Sequence, residues 1–344
     1  MAAVTLTEIS SSSWEHPGDR AALAALRAIP GLDSVMRAII GRFGETNIRM
    51  MMQANAIKTS ETQYPDIHRA LRDTCEVLDW PVPELYVSQS PIVNAGALGV
   101  DEPFIVLQSS LVEVLDEGGL HAVIGHEVGH IISEHALYRT VLNLLLSLSR
   151  AASPLISSAM MPIMLALLEW NRKSELSCDR AGLLAVQDLD VSLGALAAMA
   201  GGIRGRNDKI NLDDFVAQSD AYLDTDGMAS FYKITAMLQR PHPFVMSRVA
   251  ELRNWVTDDT YHAILEGDYT RRGDEDSVAT EAREAGEYYS EHATEVFENT
   301  EDKLIRTLRG FVDRLDSAVD ALSGSAGSGS GSASDDSDDS APVA

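Results

Sequence analysis

The sequence predicts a mainly α-helical protein with a small mixed β-sheet, an α+β fold. Three observations support this class. Most of the chain shows helix patterns, strand-like apolar runs cluster only at residues 84–88 and 104–107, and 45% of residues are hydrophobic while only 6% are aromatic. At 344 residues the chain can bury a substantial core. We therefore expect one main globular domain with extensions.

The predicted elements follow in order along the chain. Helices are predicted at residues 19–57 (one or two), 65–78, 118–138, 191–200 and 231–238, where start signals, apolar spacing and stops allow them. Residues 94–99 are rich in turn formers and are predicted to lead into the second strand. The sheet is thus expected to be small and to precede the long helix at 118–138.

Changes in composition divide the chain into four segments. We predict an N-terminal helical extension at residues 1–64, a main domain at 65–267, a charged helical extension at 268–322 and a disordered Gly/Ser/Asp tail at 323–344. Residues 302–322 carry a narrow apolar stripe at spacings of three and four. That stripe suits either folding back on the domain or self-association.

Residues 141–169 are the most apolar part of the chain. Asn143, Arg150, Pro154 and Pro162 divide residues 141–168 into pieces shorter than the roughly twenty apolar residues that a membrane span needs. We predict an apolar helical hairpin inserted into the main domain. Membrane contact through residues 141–168 remains an open alternative to a soluble core.

Charge and cysteine content exclude some functions. The formal net charge is −25, which would repel a nucleic acid, so we expect no nucleic-acid partner. Cys75 and Cys178 are too few for a disulfide framework, and residues 1–19 lack the pattern of a signal peptide. A cytoplasmic location is expected, with membrane association as the open alternative.

The most informative motif is HEVGH at residues 126–130. On a helix, His126 and His130 fall on one face about one turn apart, so both imidazoles can bind one metal ion. Glu127 lies beside them, within reach of a water on that metal, and is the predicted general base. This arrangement is typical of a zinc metallopeptidase helix.

A catalytic zinc takes a third protein ligand, for which Glu175 is the best candidate. Glu175 and Asp179 are four residues apart on a predicted second helix, so Asp179 can accept a hydrogen bond from a ligand histidine while Glu175 binds the metal. Glu134 is the second choice, and Cys178 could supply a thiolate. His135 lies nine residues after His126, on roughly the opposite side of a continuous helix, and is a poor ligand.

Together, HEVGH, the later ELSCD and the segment RPHPFVMSR resemble the zinc metallopeptidase family that contains the HtpX heat-shock proteases and the CAAX prenyl proteases, within the gluzincins. The resemblance covers roughly residues 65–255. It implies a gluzincin-like core, one zinc per chain held by His126, His130 and Glu175, and Glu127 as catalytic base.

The same resemblance implies further site residues. His242 matches a late histidine near the metal cleft and becomes a candidate transition-state stabiliser, and Arg248 matches the arginine of that signature. Asn94 and Ala95 resemble the Asn-Ala pair on the edge strand where a peptide substrate binds. From the residues alone, Asn94 could equally cap a turn.

These observations predict a zinc-dependent metalloendopeptidase that hydrolyses peptide bonds with a metal-activated water, acting in protein quality control. The expected partners are peptides or unfolded or membrane protein substrates. The alternative is a non-catalytic peptide-binding or chaperone-like module that keeps zinc as a structural element. Such a closed site would have no use for Glu127.

Overall fold

Helices surround one small sheet, which confirms the α+β prediction. The computed structural model describes residues 3–28, 45–151, 154–223 and 244–274. Its α-helices are α1 Pro17–Ala28, α2 Glu45–Asn55, α3 Pro65–Val77, α4 Ser109–Val114, α5 Glu117–Ile132, α6 His135–Ala151, α7 Pro154–Val186, α8 Leu189–Gly201, α9 Leu212–Leu223, α10 Val245–Thr257 and α11 Thr260–Leu265. Short 3₁₀ helices lie at Ser11–Ser13 and Asn207–Lys209, and the strands are β1 Ala56–Lys58, β2 Glu84–Ser88, β3 Ala95–Leu98 and β4 Phe104–Gln108.

The four strands form a mixed sheet in the order β1-β2-β4-β3. β2 and β4 are parallel, while β1 pairs antiparallel with β2 and β3 pairs antiparallel with β4. β3 is therefore an edge strand. Residues 95–98, which composition assigned to a turn-rich approach, form this strand because they pair with β4 and bury Ala97. Residues 56–57 likewise leave the predicted helix and join β1.

α5 carries the HEVGH motif and begins where Asp116 caps it. The Asp116 carboxylate accepts a hydrogen bond from the Gly119 amide at 2.7 Å, as an N-cap residue does. The prediction that this helix continues to residue 138 is wrong, because α5 ends at Ile132 and Glu134 adopts a left-handed φ of 56°. α6 then starts at His135.

α5 and α7 approach each other closely through small residues. A Cβ placed on Gly125 would lie 2.5 Å from the Ala185 Cβ, and one on Gly129 would lie 2.6 Å from the Ala181 Cβ. From the other side, a Cβ on Gly182 would lie 2.7 Å from the carbonyl oxygen of Ala122. These contacts leave no room for larger residues. They hold the HEVGH motif against the α7 segment that contains Glu175 and Asp179.

The region predicted as an apolar hairpin, residues 141–169, falls in α6 and the first half of α7. The two helices flank residues 152–153, which lie outside the described residues, and they contact each other. α7 continues past this region to Val186, so one helix links the apolar region to Glu175. Among the described residues, no helix combines the length and the hydropathy needed to cross a membrane.

Segments from both ends of the described chain join the central core. Leu6, Ile9 and Trp14 are buried with residues of α3, α5 and α7. Residues 268–274 run beside them, where the Ser10 amide donates to the Thr270 carbonyl at 2.9 Å. Residues on both sides of the predicted boundaries at 64 and 267 thus pack near the same core. The predicted helix at 231–238, the stripe at 302–322 and the tail at 323–344 lie outside the described residues.

Candidate metal centre and active site

The three predicted metal ligands meet at one point between α5 and α7. The Nε2 atoms of His126 and His130 lie 3.2 Å apart. The Glu175 carboxylate faces both, with Oε2 at 3.5 Å from His126 Nε2 and Oε1 at 3.4 Å from His130 Nε2. All three residues are buried. The helical spacing of HEVGH and the choice of Glu175 thus lead to one convergent group.

The spacing of this group fits a metal ion in tetrahedral geometry. Ligand bonds of about 2.0–2.1 Å at tetrahedral angles place the ligand atoms about 3.3–3.4 Å apart. The two Nε2 atoms lie 3.2 Å apart, and each lies 3.4–3.5 Å from a different oxygen of the Glu175 carboxylate. These residues would supply three of the four positions, which leaves one for water or substrate.

Asp179, the predicted partner of a ligand histidine, lies beside the His126 ring. Its Oδ1 lies 3.1 Å from His126 Nδ1, the ring nitrogen that faces away from Glu175. Burial alone would raise the pKa of the Asp179 carboxyl, but the Arg248 guanidinium and His126 more than offset it and hold that pKa below its usual value. In the metal-free protein, burial is likewise outweighed by Asp179 and Glu175, which raise the pKa of His126 to about 9.

Arg248, matched only by resemblance, has a definite contact. It donates from Nε and Nη2 to the two oxygens of Asp179, at 2.7 and 2.5 Å. Its Nη1 lies 4.0 Å from Glu175 Oε2. Such a bidentate pair fixes the plane of the carboxylate and therefore the ring that it holds.

Glu127 lies in the same buried cluster beside an arginine that the sequence did not reveal. Arg139 on α6 places Nη1 3.8 Å from Glu127 Oε2 and 3.6 Å from Glu175 Oε1. Arg139 and Arg248 offset two of the three charges on Glu127, Glu175 and Asp179. With both histidines neutral, as metal ligands are, the cluster would keep one net negative charge, which suits a bound cation.

A cleft of about 330 Å³ opens at this cluster. Asn94 and Ala95 line it on the β3 side, together with His126, Glu127 and Glu175. Most of the other lining residues are small or apolar, namely Ala122, Val123, Gly182, Ser192, Ala195, Leu196, Met199, Val245 and Leu252. The two residues predicted to contact substrate thus lie at the cleft, and Ala95 starts the edge strand.

The competing ligands take other positions. Glu134 is exposed and does not join the described ligand group. The Cys178 Sγ lies 3.6 Å from His135 Nδ1, and burial raises the pKa of this thiol well above its ordinary value. His135 does not point away on a continuing helix, because the chain turns at Glu134. Its Nδ1 lies 3.1 Å from His130 Nδ1, on the side of that ring away from Glu175.

His242, predicted to stabilise the transition state, lies outside the described residues. Arg139 and Asp19 are buried neighbours of the cluster that sequence reasoning missed, and His135, a third, was considered only as a poor ligand. Arg139 and His135 follow the motif closely, yet only the turn after α5 brings them back to it. Asp19 is separated from HEVGH by more than a hundred residues, and no local pattern signals its contact.

Comparison with known proteins agrees with this site. The profile of peptidase family M48 matches residues 61–256. The plastoglobule-localized metallopeptidase 48 of Arabidopsis thaliana chloroplasts is 32% identical over 263 residues, which cover 75% of this chain and 76% of the plant protein. A protease HtpX homologue of Streptococcus mutans is 34% identical over 91 residues, which cover 26% of this chain and 30% of that protein.

A further protease HtpX homologue, from Kineococcus radiotolerans, is 32% identical over 84 residues, which cover 24% of this chain and 29% of that protein. The chain thus spans less than a third of the HtpX homologues but most of the plant relative. No solved structure matches the chain. The family match includes the motif helix, Glu175, Asp179 and Arg248, which confirms the resemblance to HtpX-type proteases. The chain belongs to peptidase family M48 and is a metallopeptidase.

Proposed function

We propose that this metallopeptidase is a zinc-dependent endopeptidase whose metal is held by His126, His130 and Glu175. The observation that carries the proposal is the convergence of two Nε2 atoms and one carboxylate at 3.2–3.5 Å. Two imidazoles and a carboxylate form a frequent ligand set of catalytic zinc. Three protein ligands, with a cleft at the fourth side, favour an open catalytic site over a closed structural one.

Each nearby side chain has a role in hydrolysis. His126, His130 and Glu175 would hold the zinc ion, which when bound would supply polarisation of the scissile carbonyl and a lowered pKa of water. The Glu127 carboxylate lines the cleft and is placed to take a proton from the attacking water and to deliver it to the leaving amine. Arg139 lies 3.8 Å from the Glu127 carboxylate and would stabilise its charge before it takes the proton and again after it delivers it. Asp179 and Arg248 hold the His126 ring so that Nε2 faces the metal position.

The edge strand suggests how a substrate binds. The Asn94 carbonyl oxygen accepts a hydrogen bond from the Gln108 amide of β4 at 3.0 Å. Because successive residues of an edge strand point their main-chain groups alternately toward and away from the neighbouring strand, the N–H and C=O of Ala95 face away from β4. Ala97 is fully buried, and the Gly99 amide donates to Thr140 Oγ1 at 3.3 Å. An extended peptide would pair with β3 at its Asn94–Ala95 end. Such pairing binds main-chain groups in the middle of a substrate chain and does not need its ends, which supports endopeptidase action.

The composition of the cleft supports a substrate class. The wall that contains Ala195, Leu196, Met199 and Leu252 is apolar and suits an apolar side chain beside the scissile bond. Apolar side chains become accessible in unfolded proteins and in membrane proteins. We propose such chains as the substrates, with a role in protein quality control, and no nucleic-acid partner at a net charge of −25.

Residues 141–168 and 302–322 bear on location and assembly. The apolar composition of the first segment supports membrane contact, and the stripe of the second supports self-association. We propose a cytoplasmic location with contact to a membrane surface through residues 141–168. Sedimentation with lipid vesicles tests the membrane contact. Truncation at residue 301 tests self-association through residues 302–322, because it should dissociate a purified oligomer.

The test of the proposed chemistry is Glu127→Gln. This change keeps the shape of the side chain but removes the base, so we expect about one zinc per chain, as in wild type, and a loss of unfolded-protein cleavage by about 10²-fold or more. Glu117→Gln is the matched control, since Glu117 is exposed on the same helix. Equal cleavage by the Glu127 variant contradicts the proposal. Bound zinc without cleavage in wild type would favour the non-catalytic binding module.

A further inference from the structure

A chain of buried polar side chains leads from the metal centre to the N-terminal helix. His130 Nδ1 lies 3.1 Å from His135 Nδ1. On the far side of that ring, His135 Nε2 lies 3.2 Å from Asp19 Oδ2 of α1. Ser177 on α7 donates to the same Asp19 oxygen at 2.5 Å. His130, His135 and Asp19 have no solvent exposure.

The charge of Asp19 gives this chain one direction. The carboxylate lies 3.2 Å from His135 Nε2 as an ion-pair contact rather than a hydrogen bond, and its negative charge favours the His135 tautomer that carries the proton on Nε2 and leaves Nδ1 as an acceptor. His130 then carries its proton on Nδ1, which faces His135. Its Nε2 keeps a free lone pair, and this atom faces Glu175 and His126. The opposite tautomer of His130 could not bind a metal at that position.

We propose that Asp19, acting through His135, is a positioning residue that fixes the metal-binding tautomer of His130. The inference rests on the proposed metal site. It assigns a role in that site to α1, which lies outside residues 61–256 that match the family. The two ligand histidines would then be held differently, His126 by Asp179 directly and His130 by Asp19 through a second ring.

The burial of Asp19 supports this role. A carboxylate with no solvent exposure is costly unless charge or hydrogen bonds offset the loss of water. Asp19 meets His135 and Ser177 at its Oδ2, and the first turn of α1 places it at the positive end of the helix dipole. Its position is therefore set by the contact that orients His135.

A second metal ion is the competing explanation of the same cluster, because His130, His135 and Cys178 also lie close enough to share one. That site would need the Cys178 thiolate and a second metal bond from His130. Burial opposes the thiolate by raising the pKa of Cys178 well above its ordinary value. The metal stoichiometry separates the two explanations.

The test combines zinc affinity with the histidine tautomer. Asp19→Ala should weaken zinc binding by about 10- to 100-fold in chelator competition, which is the usual effect of losing a partner behind a metal ligand. In metal-free protein with ¹⁵N-labelled histidines, the His130 signal should move from the Nδ1–H tautomer toward the Nε2–H tautomer. Leu23→Ala is the control, because Leu23 is buried in α1 but has no part in the chain.

A second pair of variants remains informative if Asp19→Ala does not fold. His135→Phe removes the acceptor for His130 and should weaken zinc binding to the same degree. His135→Asn places an amide oxygen near the former Nδ1 position and should restore most of the affinity. Equal zinc affinity and an unchanged His130 tautomer in folded Asp19→Ala and His135→Phe would overturn the proposal.

The metal stoichiometry completes the test. Two zinc ions per chain in wild type would favour the second metal and also overturn the positioning role. A wild type that binds no zinc would contradict the proposed function. The tautomer of His130 in the metal-free protein would still decide the role of Asp19.

Discussion

Each ligand histidine presents Nε2 to the metal position and Nδ1 to a different partner. His126 Nδ1 meets the Asp179 carboxylate, while His130 Nδ1 meets the ring of His135. Burial, followed by the charge of Arg139, lowers the pKa of His130 well below its ordinary value. In the metal-free protein the two rings therefore differ in their tendency to bind a proton, which is stronger for His126 than for His130. Because a metal ligand must be deprotonated, a proton on His126 would compete with the metal.

The Asp179 contact gives a prediction at the residue scale. Asp179→Asn removes the charge that holds the His126 ring, so we expect zinc affinity to fall by about 10- to 100-fold. Chelator competition measures the change. Asp190→Asn is a suitable control, because Asp190 is exposed on α8 and away from the cleft. Unchanged affinity in the Asp179 variant would show that Asp179 does not orient His126.

Sequence reasoning was most successful where one helix sets the spacing. His126 and His130 share a face of α5, and Glu175 and Asp179 share a face of α7, so the helical period alone predicts both pairs. The contacts of Arg139 and Asp19 depend on how separate helices pack. No spacing in the sequence encodes that packing, and these two residues were therefore missed.

At the scale of elements, the crossing of α5 and α7 brings the two halves of the site together. Gly182→Ala would place a Cβ 2.7 Å from the Ala122 carbonyl oxygen, and neither backbone can yield without moving the helices apart. We expect a loss of about 1–3 kcal/mol in the free energy of unfolding. Weaker zinc binding should accompany it, because His126 and Glu175 lie on opposite sides of this contact.

Gly194→Ala is the matched control for this change. A Cβ on Gly194 meets nothing within 4 Å, although Gly194 also lies inside a helix. Here alanine should raise the free energy of unfolding by up to about 1 kcal/mol through its better helix propensity. Urea denaturation and zinc titration of both variants make the comparison. Equal stability of the two variants would contradict close packing at Gly182.

Two elements departed from the sequence prediction for physical reasons. α5 was expected to continue through His135, but a left-handed Glu134 ends it, and few local signals mark such a turn in an apolar stretch. β3 has the sequence Ala-Gly-Ala-Leu, which has little strand propensity. Its pairing with β4 and its contact with α5 stabilise it, and both are tertiary effects.

At the scale of the whole molecule, the N-terminal segment is part of the core. Trp14 has no solvent exposure and lies in the same cluster as residues of the motif helix. Trp14→Ala should therefore lower the free energy of unfolding by about 3–5 kcal/mol. Val4→Ala, in the same segment but half exposed, should change it by no more than about 0.5 kcal/mol. Thermal and urea unfolding of metal-free protein test this, and equal small effects would mean that the segment is a peripheral addition.

The central claim is that one zinc ion is held by His126, His130 and Glu175. Zinc-edge X-ray absorption of the purified, zinc-loaded protein tests it most directly. The account predicts one zinc per chain with nitrogen and oxygen ligands at about 2.0–2.1 Å and outer scattering from two imidazoles. A sulfur ligand at about 2.3 Å, which would have to come from a cysteine, or the absence of imidazole scattering would contradict it.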